Sequence, residues 1–133
     1  MNPMVILLVE DDVHLQYFIG NLLKADGFIV LTAGDGNAAL EASRSYPGSI
    51  DLLLSDVEMP RMGGLELCKD IMAERPGIKV LMMSGALSGK GPVSVSGLPF
   101  LQKPFTDTAL RDSIKALLGP IPPGQAKPPL ADI

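Results

Sequence analysis

Acidic residues that could hold a cation stand directly after two short segments of the chain. Glu10, Asp11 and Asp12 follow the apolar residues 4–9, and Asp56 follows residues 51–55. Carboxylates crowded into one place raise one another's pKa unless a cation neutralises them. Because every candidate ligand in this pattern is a hard oxygen, it favours Mg²⁺, which takes a few carboxylates and keeps several waters. The alternative interpretation is a set of ordinary turn and helix-cap residues.

Two other polar residues, Ser84 and Lys103, also follow apolar segments, residues 78–83 and 100–102. Beside a bound cation, Asp56 would be the natural nucleophile for a phosphoryl group, since carboxylates form acyl-phosphates. Lys103 could pair with the oxygens of that group, and the Ser84 hydroxyl could donate a hydrogen bond to it. Taken alone, each of these residues could equally be an ordinary surface or strand-end residue.

The elements that must position these residues alternate regularly along the chain. Short apolar runs predict five strands, at residues 4–9, 28–32, 51–55, 78–83 and 100–102. Amphipathic segments between them predict helices, the first of which carries an apolar stripe of Leu15, Phe18, Ile19, Leu22 and Leu23. Parallel strands need crossover connections, so the alternation predicts an α/β fold, a doubly wound five-stranded parallel sheet with helices on both faces.

In a parallel sheet the carboxyl ends of all strands lie at one edge. If the strand order is 2-1-3-4-5, the first and third strands are neighbours, about 4.8 Å apart, at the switch point where open sheets bind ligands. Glu10, Asp11 and Asp56 would then share one cleft with Ser84 and Lys103. The fourth crossover is less regular. Residues 86–98 are rich in glycine and serine, so the helix there is predicted to be short or irregular.

Composition limits the classes of protein to consider. The chain has 133 residues, 47% of them hydrophobic, which suits one globular domain at residues 1–118. The proline-rich residues 119–133 predict a flexible tail. A net charge of -4 gives no attraction for nucleic acid or anionic lipid. Because residues 4–9 are too short to span a membrane and Cys68 is the single cysteine, we expect a cytoplasmic protein.

Four motifs together resemble the receiver domains of bacterial response regulators in two-component systems. They are Val9-Glu10-Asp11-Asp12, then Asp56-Val57-Glu58-Met59-Pro60 with Met62 and Gly64, then Met83-Ser84-Gly85, and Lys103-Pro104-Phe105. The resemblance covers roughly residues 3–118 and implies a flavodoxin-like fold. The chain is similar to the chemotaxis response regulator, which is a single-domain receiver, and to the receivers attached to hybrid histidine kinases.

The resemblance also implies a role for each residue at the predicted edge. Asp56 would be the phospho-acceptor, Lys103 would contact the phosphoryl oxygens, and Ser84 would hydrogen-bond the phosphoryl group. Phe100 matches the switch aromatic, which turns inward in the active state of such domains. The implied ligands of Mg²⁺, or of Mn²⁺ as the alternative ion, are Glu10, Asp11, Asp56 and the backbone carbonyl of Glu58.

Partners follow from the same resemblance. The phosphoryl group would come from a sensor histidine kinase or a histidine phosphotransfer protein, and its arrival would switch contacts with an unknown downstream protein. We expect no DNA-binding domain and no enzymatic activity beyond the domain's own phosphorylation and slow dephosphorylation. His14, the only histidine, is predicted to be an exposed helix residue, because phosphotransfer histidines lie on helical bundles.

Two other functions stay open at this point. One is a Mg²⁺-dependent phosphatase with an aspartyl-phosphate intermediate, in which Glu58, two residues after Asp56, would act on the leaving group. Such haloacid-dehalogenase-like enzymes usually place the nucleophile after the first strand, whereas Asp56 follows the third. The other is a pseudo-receiver, a binding module that has kept the fold and lost the chemistry. The intact acidic residues, Ser84 and Lys103 argue against it.

Overall fold

The computed structural model describes residues 3–59, 62–85 and 97–119 of the chain. Within these ranges the strands are β1 (Val5–Val9), β2 (Ile29–Ala33), β3 (Leu52–Asp56), β4 (Lys79–Ser84) and β5 (Phe100–Gln102). The helices are α1 (Val13–Ala25), α2 (Gly36–Ser45), α3 (Gly64–Glu74) and α4 (Asp107–Leu118). Every predicted strand is present, and its ends differ from the prediction by a residue at most.

The five strands form one sheet in the order β2-β1-β3-β4-β5, and all four pairings are parallel. The predicted order is therefore confirmed. Strands β1 and β3 are buried along their whole length because helices cover both faces of the sheet. This double burial explains why their sequences are continuous apolar runs without polar alternation.

Side chains of successive strand residues enter two separate apolar layers, as the pleat of a strand requires. In the first layer, Leu7, Leu53 and Met82 pack with residues of α2 and α3, which are Ala39, Leu40, Leu67, Cys68 and Ile71. In the second, Leu8, Leu54 and Leu101 pack with residues of α1 and α4, which are Ile19, Leu23, Leu110 and Ile114. The arrangement is the doubly wound, flavodoxin-like architecture that the alternation predicts.

Side-chain caps fix where three of the helices begin, and thus the direction in which each leaves the sheet edge. The Asp12 carboxylate accepts hydrogen bonds from two backbone amides of α1. Asp35 caps α2 and Thr106 caps α4 in the same way. Gly27, with φ of 99°, follows α1 in the left-handed conformation that only glycine adopts at little cost.

One apolar residue of α1 is more exposed than its spacing suggests, and two predicted segments fall outside the described residues. Phe18, on the predicted apolar stripe of α1, is 49% exposed, whereas Ile19 and Leu23 of that stripe are fully buried. The predicted irregular helix falls mainly on residues 86–96, and the predicted tail falls on residues 120–133; both lie outside the described residues. Over the described ranges, none of the helices combines the length and the apolar character that a bilayer crossing requires.

Candidate functional site

The strand register brings the predicted residues to one edge of the sheet. The last pairs at that edge are Val9 with Ser55, Asp56 with Met83, and Ser84 with Gln102. Glu10 comes directly after Val9, and Lys103 comes directly after Gln102. Because the strands are parallel and in register, these residues end up side by side although they lie far apart in the sequence.

Lys103 lies between two buried carboxylates. Its Nζ is 2.7 Å from Oε1 of Glu10 and 3.3 Å from Oδ2 of Asp56. The two acidic residues are only 1% and 4% exposed. All three continue the parity of the strand residues that face α1 and α4, and this shared parity allows them to meet. We call Glu10, Asp56 and Lys103 the strand-end triad.

Glu10 is held from several directions. Its Oε2 accepts a hydrogen bond of 3.0 Å from the backbone amide of Asp12. Its own amide donates to the carbonyl of Ala33 at 3.0 Å, and the Gln16 side chain donates to the Glu10 carbonyl at 3.0 Å. A buried carboxylate needs such partners because isolated burial of a charge is expensive. The triad is therefore anchored at its β1 end.

The Asp56 carboxylate has an unusual protonation equilibrium. Burial and the nearby negative charge of Glu10 raise its pKa to about 7, against the opposing effect of Lys103. Burial also lowers the pKa of Lys103, but its hydrogen bond to Glu10 and the charge of Asp56 more than offset this, so that its pKa is raised. The positive charge of one ammonium group therefore does not fully offset the burial and mutual repulsion of the two acidic side chains.

A third acid completes a candidate cation site. Asp11 is exposed at the mouth of the site, and carboxylate oxygens of Glu10, Asp11 and Asp56 all lie within 4.8 Å of one another. Glu58, whose carbonyl is the predicted fourth ligand, lies in the loop after β3, and its amide donates to Oδ1 of Asp56 at 3.3 Å. The oxygens of three carboxylates form a donor set that suits a hard divalent cation, since the single ammonium group of Lys103 leaves part of their negative charge uncompensated.

Ser84 has a partner that the sequence did not predict. It lies at the end of β4 and is fully buried, and its hydroxyl donates a hydrogen bond of 2.6 Å to Oε2 of Glu58. Ser84 continues the parity of Met82, which faces α2 and α3, and so lies on the side opposite to the triad residues. Its carbonyl accepts the Lys103 amide at 2.8 Å. We call Ser84 and Glu58 the Ser84–Glu58 pair.

Gly64 is a supporting residue whose importance was not recognised from the sequence. A Cβ atom placed on it would overlap the Asp56 carbonyl oxygen and lie 2.9 Å from Cα of Val57. Its amide donates to the Val57 carbonyl at 3.0 Å. The first turn of α3 therefore packs directly on the backbone of the acceptor, where only glycine fits. The double glycine after Met62 was a signal for this close approach.

The remaining predicted residues lie outside this cluster of side chains. Phe100 is half-buried on β5, opposite Met82 of β4. Cys68 is buried in the layer that faces α2 and α3. His14 is exposed in the first turn of α1, as predicted.

An exposed apolar surface borders the site. On α1, Val13 and Tyr17 are each 72% exposed, and Phe18 is 49% exposed. Beside them runs a groove of about 350 Å³, which is lined by Leu15, Phe18, Gly85, Lys103, Pro104 and Phe105. Lys103 belongs both to this groove and to the triad, so the apolar surface leads directly to Asp56. We call Val13, Tyr17 and Phe18 the α1 patch.

Comparison with known proteins gives consistent matches. The chain is 37% identical over 118 residues to the transcriptional regulatory protein CpxR homolog of Haemophilus influenzae, which covers 85% of this chain and 49% of that protein. It is 32% identical over 117 residues to the sensor kinase CckA of Brucella abortus, covering 85% of this chain and 12% of that protein. The solved structure of the chemotaxis protein CheY4 of Vibrio cholerae superposes with a TM-score of 0.78 at 25% identity, covering 88% of this chain and 100% of that one.

The chain spans about half the length of transcriptional regulators such as the CpxR homolog. The model of one protein family, described as the response regulator receiver domain, matches residues 6–115. Apart from the first residue of β1 and the last three residues of α4, this range contains all of the described strands and helices. It also contains the whole of the strand-end triad. The chain therefore belongs to the family of response regulator receiver domains, which are signalling modules of two-component systems.

Proposed function

We propose that this chain is a phosphoacceptor, which takes a phosphoryl group onto Asp56 from a phosphohistidine of a sensor histidine kinase or a histidine phosphotransfer protein. The observation that carries the proposal is the position of Asp56. Its carboxylate is buried at a strand end, 3.3 Å from the Lys103 ammonium group and within 4.8 Å of two further acids. Such a carboxylate can act as a nucleophile in an electrostatically prepared site.

The transfer is a simple displacement. A carboxylate oxygen of Asp56 attacks the phosphorus atom, the new O–P bond forms, and the N–P bond of the phosphohistidine breaks. The imidazole nitrogen leaves with the electron pair of that bond. Lys103 is placed to contact an oxygen of the phosphoryl group as it arrives, because its ammonium group already lies against Asp56. The protein contributes mainly position and charge neutralisation.

The acidic cluster fits Mg²⁺, and Mn²⁺ is the alternative ion. Glu10, Asp11 and Asp56 would supply carboxylate oxygens, and Glu58 would supply its backbone carbonyl. A bound Mg²⁺ would neutralise the carboxylates and the phosphoryl oxygens. The raised pKa of Asp56 supports this assignment, since a cation beside the carboxylate would restore the charged form that a nucleophile needs.

The α1 patch and its groove are the surface that the donor would occupy. A donor must bring its phosphohistidine to Asp56, and the groove formed by α1 and the loop after β5 is lined by Lys103, which contacts Asp56. Exposed apolar side chains next to a charged site are typical of protein interaction surfaces. We propose that an apolar helical face of the donor packs on Tyr17 and Phe18.

The response to phosphorylation would involve Ser84 and Phe100. The Ser84 hydroxyl would turn to the phosphoryl group, and Phe100 would turn inward and alter contacts with a downstream protein. Ser84 is fully buried at the end of β4, and Phe100 is half-buried on the neighbouring strand. The phosphatase alternative is less well supported, because the Glu58 carboxylate that it requires accepts a hydrogen bond from Ser84.

Intact mass after incubation with acetyl phosphate tests the proposal. The wild-type chain should gain one phosphoryl group in the presence of Mg²⁺ and none after chelation of the metal. Asp56→Asn should gain none. Asp112→Asn is the matched control, since it makes the same chemical change at an exposed residue of α4 and should behave as the wild type. Absence of a Mg²⁺-dependent adduct on the wild type would favour the pseudo-receiver.

A further inference from the structure

The hydroxyl group of Ser84 already donates its hydrogen bond to an anion, the Glu58 carboxylate. A serine hydroxyl has a single hydrogen to donate, and here it goes to Oε2 of Glu58 at 2.6 Å. Because Ser84 is fully buried, bulk water cannot replace Glu58 as its hydrogen-bond acceptor. Under the function proposed above, an incoming phosphoryl group would need that same hydrogen. The carboxylate and the phosphoryl group would therefore compete for one donor.

We propose that Glu58 is a positioning residue that holds the Ser84 hydroxyl in the unphosphorylated state and must release it before the site can close on a phosphoryl group. This inference rests on the proposed phosphoacceptor function and deepens it. The Glu58 side chain then sets how tightly the site holds a phosphoryl-like anion by acting through the Ser84 hydroxyl.

The surrounding backbone allows the side chain to move while the loop stays in place. The Glu58 amide donates to Asp56, and the Val57 amide donates to the Met83 carbonyl at 2.8 Å. These two bonds tie the start of the loop to β3 and β4, directly before and at Glu58. The Glu58 residue itself is exposed, so its carboxylate can rotate into water when Ser84 turns away. Release therefore requires a change of rotamer and no rearrangement of the sheet.

Charge adds to the competition. Glu10, Asp11 and Asp56 already place three carboxylates at the site, and the Glu58 carboxylate adds a further negative charge beside the Ser84 hydroxyl that the anion would need. Glutamine at position 58 would keep a hydrogen-bond acceptor and remove the charge, whereas alanine would remove both. The affinity for a phosphoryl-like anion should therefore increase in the order wild type, Glu58→Gln, Glu58→Ala.

Beryllofluoride binding at saturating Mg²⁺, followed by ¹⁹F NMR, measures this competition directly. We expect Glu58→Ala to bind beryllofluoride about tenfold more tightly than the wild type, since a hydrogen bond to a charged group contributes that much or more. Glu66→Ala is the matched control. It removes the same charge from an exposed residue in the first turn of α3 and should leave the affinity close to that of the wild type.

A double-mutant cycle with Ser84→Ala separates the hydrogen bond from general repulsion. If Glu58 acts mainly through Ser84, Glu58→Ala should tighten binding much less in the Ser84→Ala background, where only the charge repulsion remains. Equal tightening in both backgrounds would overturn the positioning role, and so would an unchanged or weaker affinity of Glu58→Ala. Failure of the wild type and of every variant to bind beryllofluoride would instead contradict the proposed function and the inference together.

Discussion

The strand-end triad and the Ser84–Glu58 pair lie next to each other but are built differently. The triad places three side chains from the ends of β1, β3 and β5 on one side of the sheet, where Lys103 contacts both carboxylates. The pair joins the end of β4 to a loop residue on the other side, and one of its members is exposed. The triad is thus fixed by ion pairs between largely buried side chains, whereas the pair includes an exposed loop residue whose side chain can move.

The comparison indicates that the triad positions the nucleophile and that the Ser84–Glu58 pair acts as a switch. Accurate placement of a nucleophile and its counter-ion lowers a reaction barrier, and rigid elements give that placement. A switch needs two states of similar free energy, which a side chain at a loop can provide at small cost. We therefore expect changes in the triad to affect stability and phosphorylation strongly. Changes in the pair should affect stability little and anion affinity more.

Replacement of Lys103 should have the largest effect. Lys103→Met would leave Glu10 and Asp56 buried without their ammonium partner, and breaking a buried pair in this way costs about 3–5 kcal/mol. The rate of adduct formation should fall at least about 10²-fold, because removal of one preorganised charge that stabilises a transition state usually costs that much. Urea unfolding and intact mass would measure the two effects. Lys103→Arg keeps the charge and should lose less of both, and a stable, fully active Lys103→Met would contradict the role of the triad.

Gly64 tests whether the acceptor depends on close backbone packing. Gly64→Ala should destabilise the fold by about 1–3 kcal/mol, because the added Cβ would overlap the Asp56 carbonyl and only a shift of backbone can relieve it. Gly77→Ala is the matched control, since a Cβ at that position meets nothing within 4 Å. Thermal unfolding of the two variants would show the difference. Equal stability of the two would mean that α3 can move away from Asp56 freely.

The pH dependence of stability tests the raised pKa of Asp56. The pKa of about 7 in the folded state lies above the value of an unfolded aspartate, so the folded state binds more protons between about pH 4 and pH 7. In the absence of Mg²⁺, the contribution of Asp56 to stability is present in acid and is lost as the pH rises through about 7. Asp56→Asn removes this loss, and near neutral pH it should stabilise the metal-free protein by roughly 1–3 kcal/mol.

Urea unfolding of the wild type and of Asp56→Asn from pH 4 to pH 8 would measure that difference. The two curves should converge in acid and separate toward neutral pH. Saturating Mg²⁺ should bring them together again at pH 8 by stabilising the wild type. Parallel curves at every pH would show that the Asp56 carboxylate is not destabilised by its surroundings.

Ser84→Ala should have the smallest effect on stability. The lost hydrogen bond joins a buried hydroxyl to a carboxylate that can return to water, so we expect a loss of about 1 kcal/mol or less. Acceptance of a phosphoryl group from acetyl phosphate should stay within a few-fold of the wild type, since the triad is untouched. Adduct formation that is abolished in Ser84→Ala would contradict the division between triad and pair.

The triad could be predicted from the sequence because it depends on few facts. Buried parallel strands are continuous apolar runs, and the chain has five predicted runs, four of which are directly followed by a polar residue. The known chirality of crossovers then limits the order of the strands. Once the order is fixed, Glu10, Asp56 and Lys103 must meet at one edge. The sequence predicted that they share one cleft, and the structure adds that Lys103 forms ion pairs with both carboxylates.

The Ser84–Glu58 pair and the exposure of Phe18 could not be predicted in the same way. Ser84 can donate to any acceptor within reach, and the choice of Glu58 depends on side-chain rotamers that spacing does not determine. Phe18 has the spacing of a buried residue, but it lines the groove beside Phe105 and does not enter the core. Apolar periodicity indicates which side of a helix is apolar and does not distinguish a core contact from a binding surface.

Identification of the phosphorylated residue tests the central claim most directly. Reduction with borohydride converts an aspartyl-phosphate to homoserine, which tandem mass spectrometry locates within a peptide. After incubation with acetyl phosphate and Mg²⁺, homoserine should replace Asp56 and no other acidic residue. Homoserine in place of Asp11, Asp12 or Asp51, or an adduct that resists reduction, would contradict the assignment of Asp56 as the phosphoacceptor.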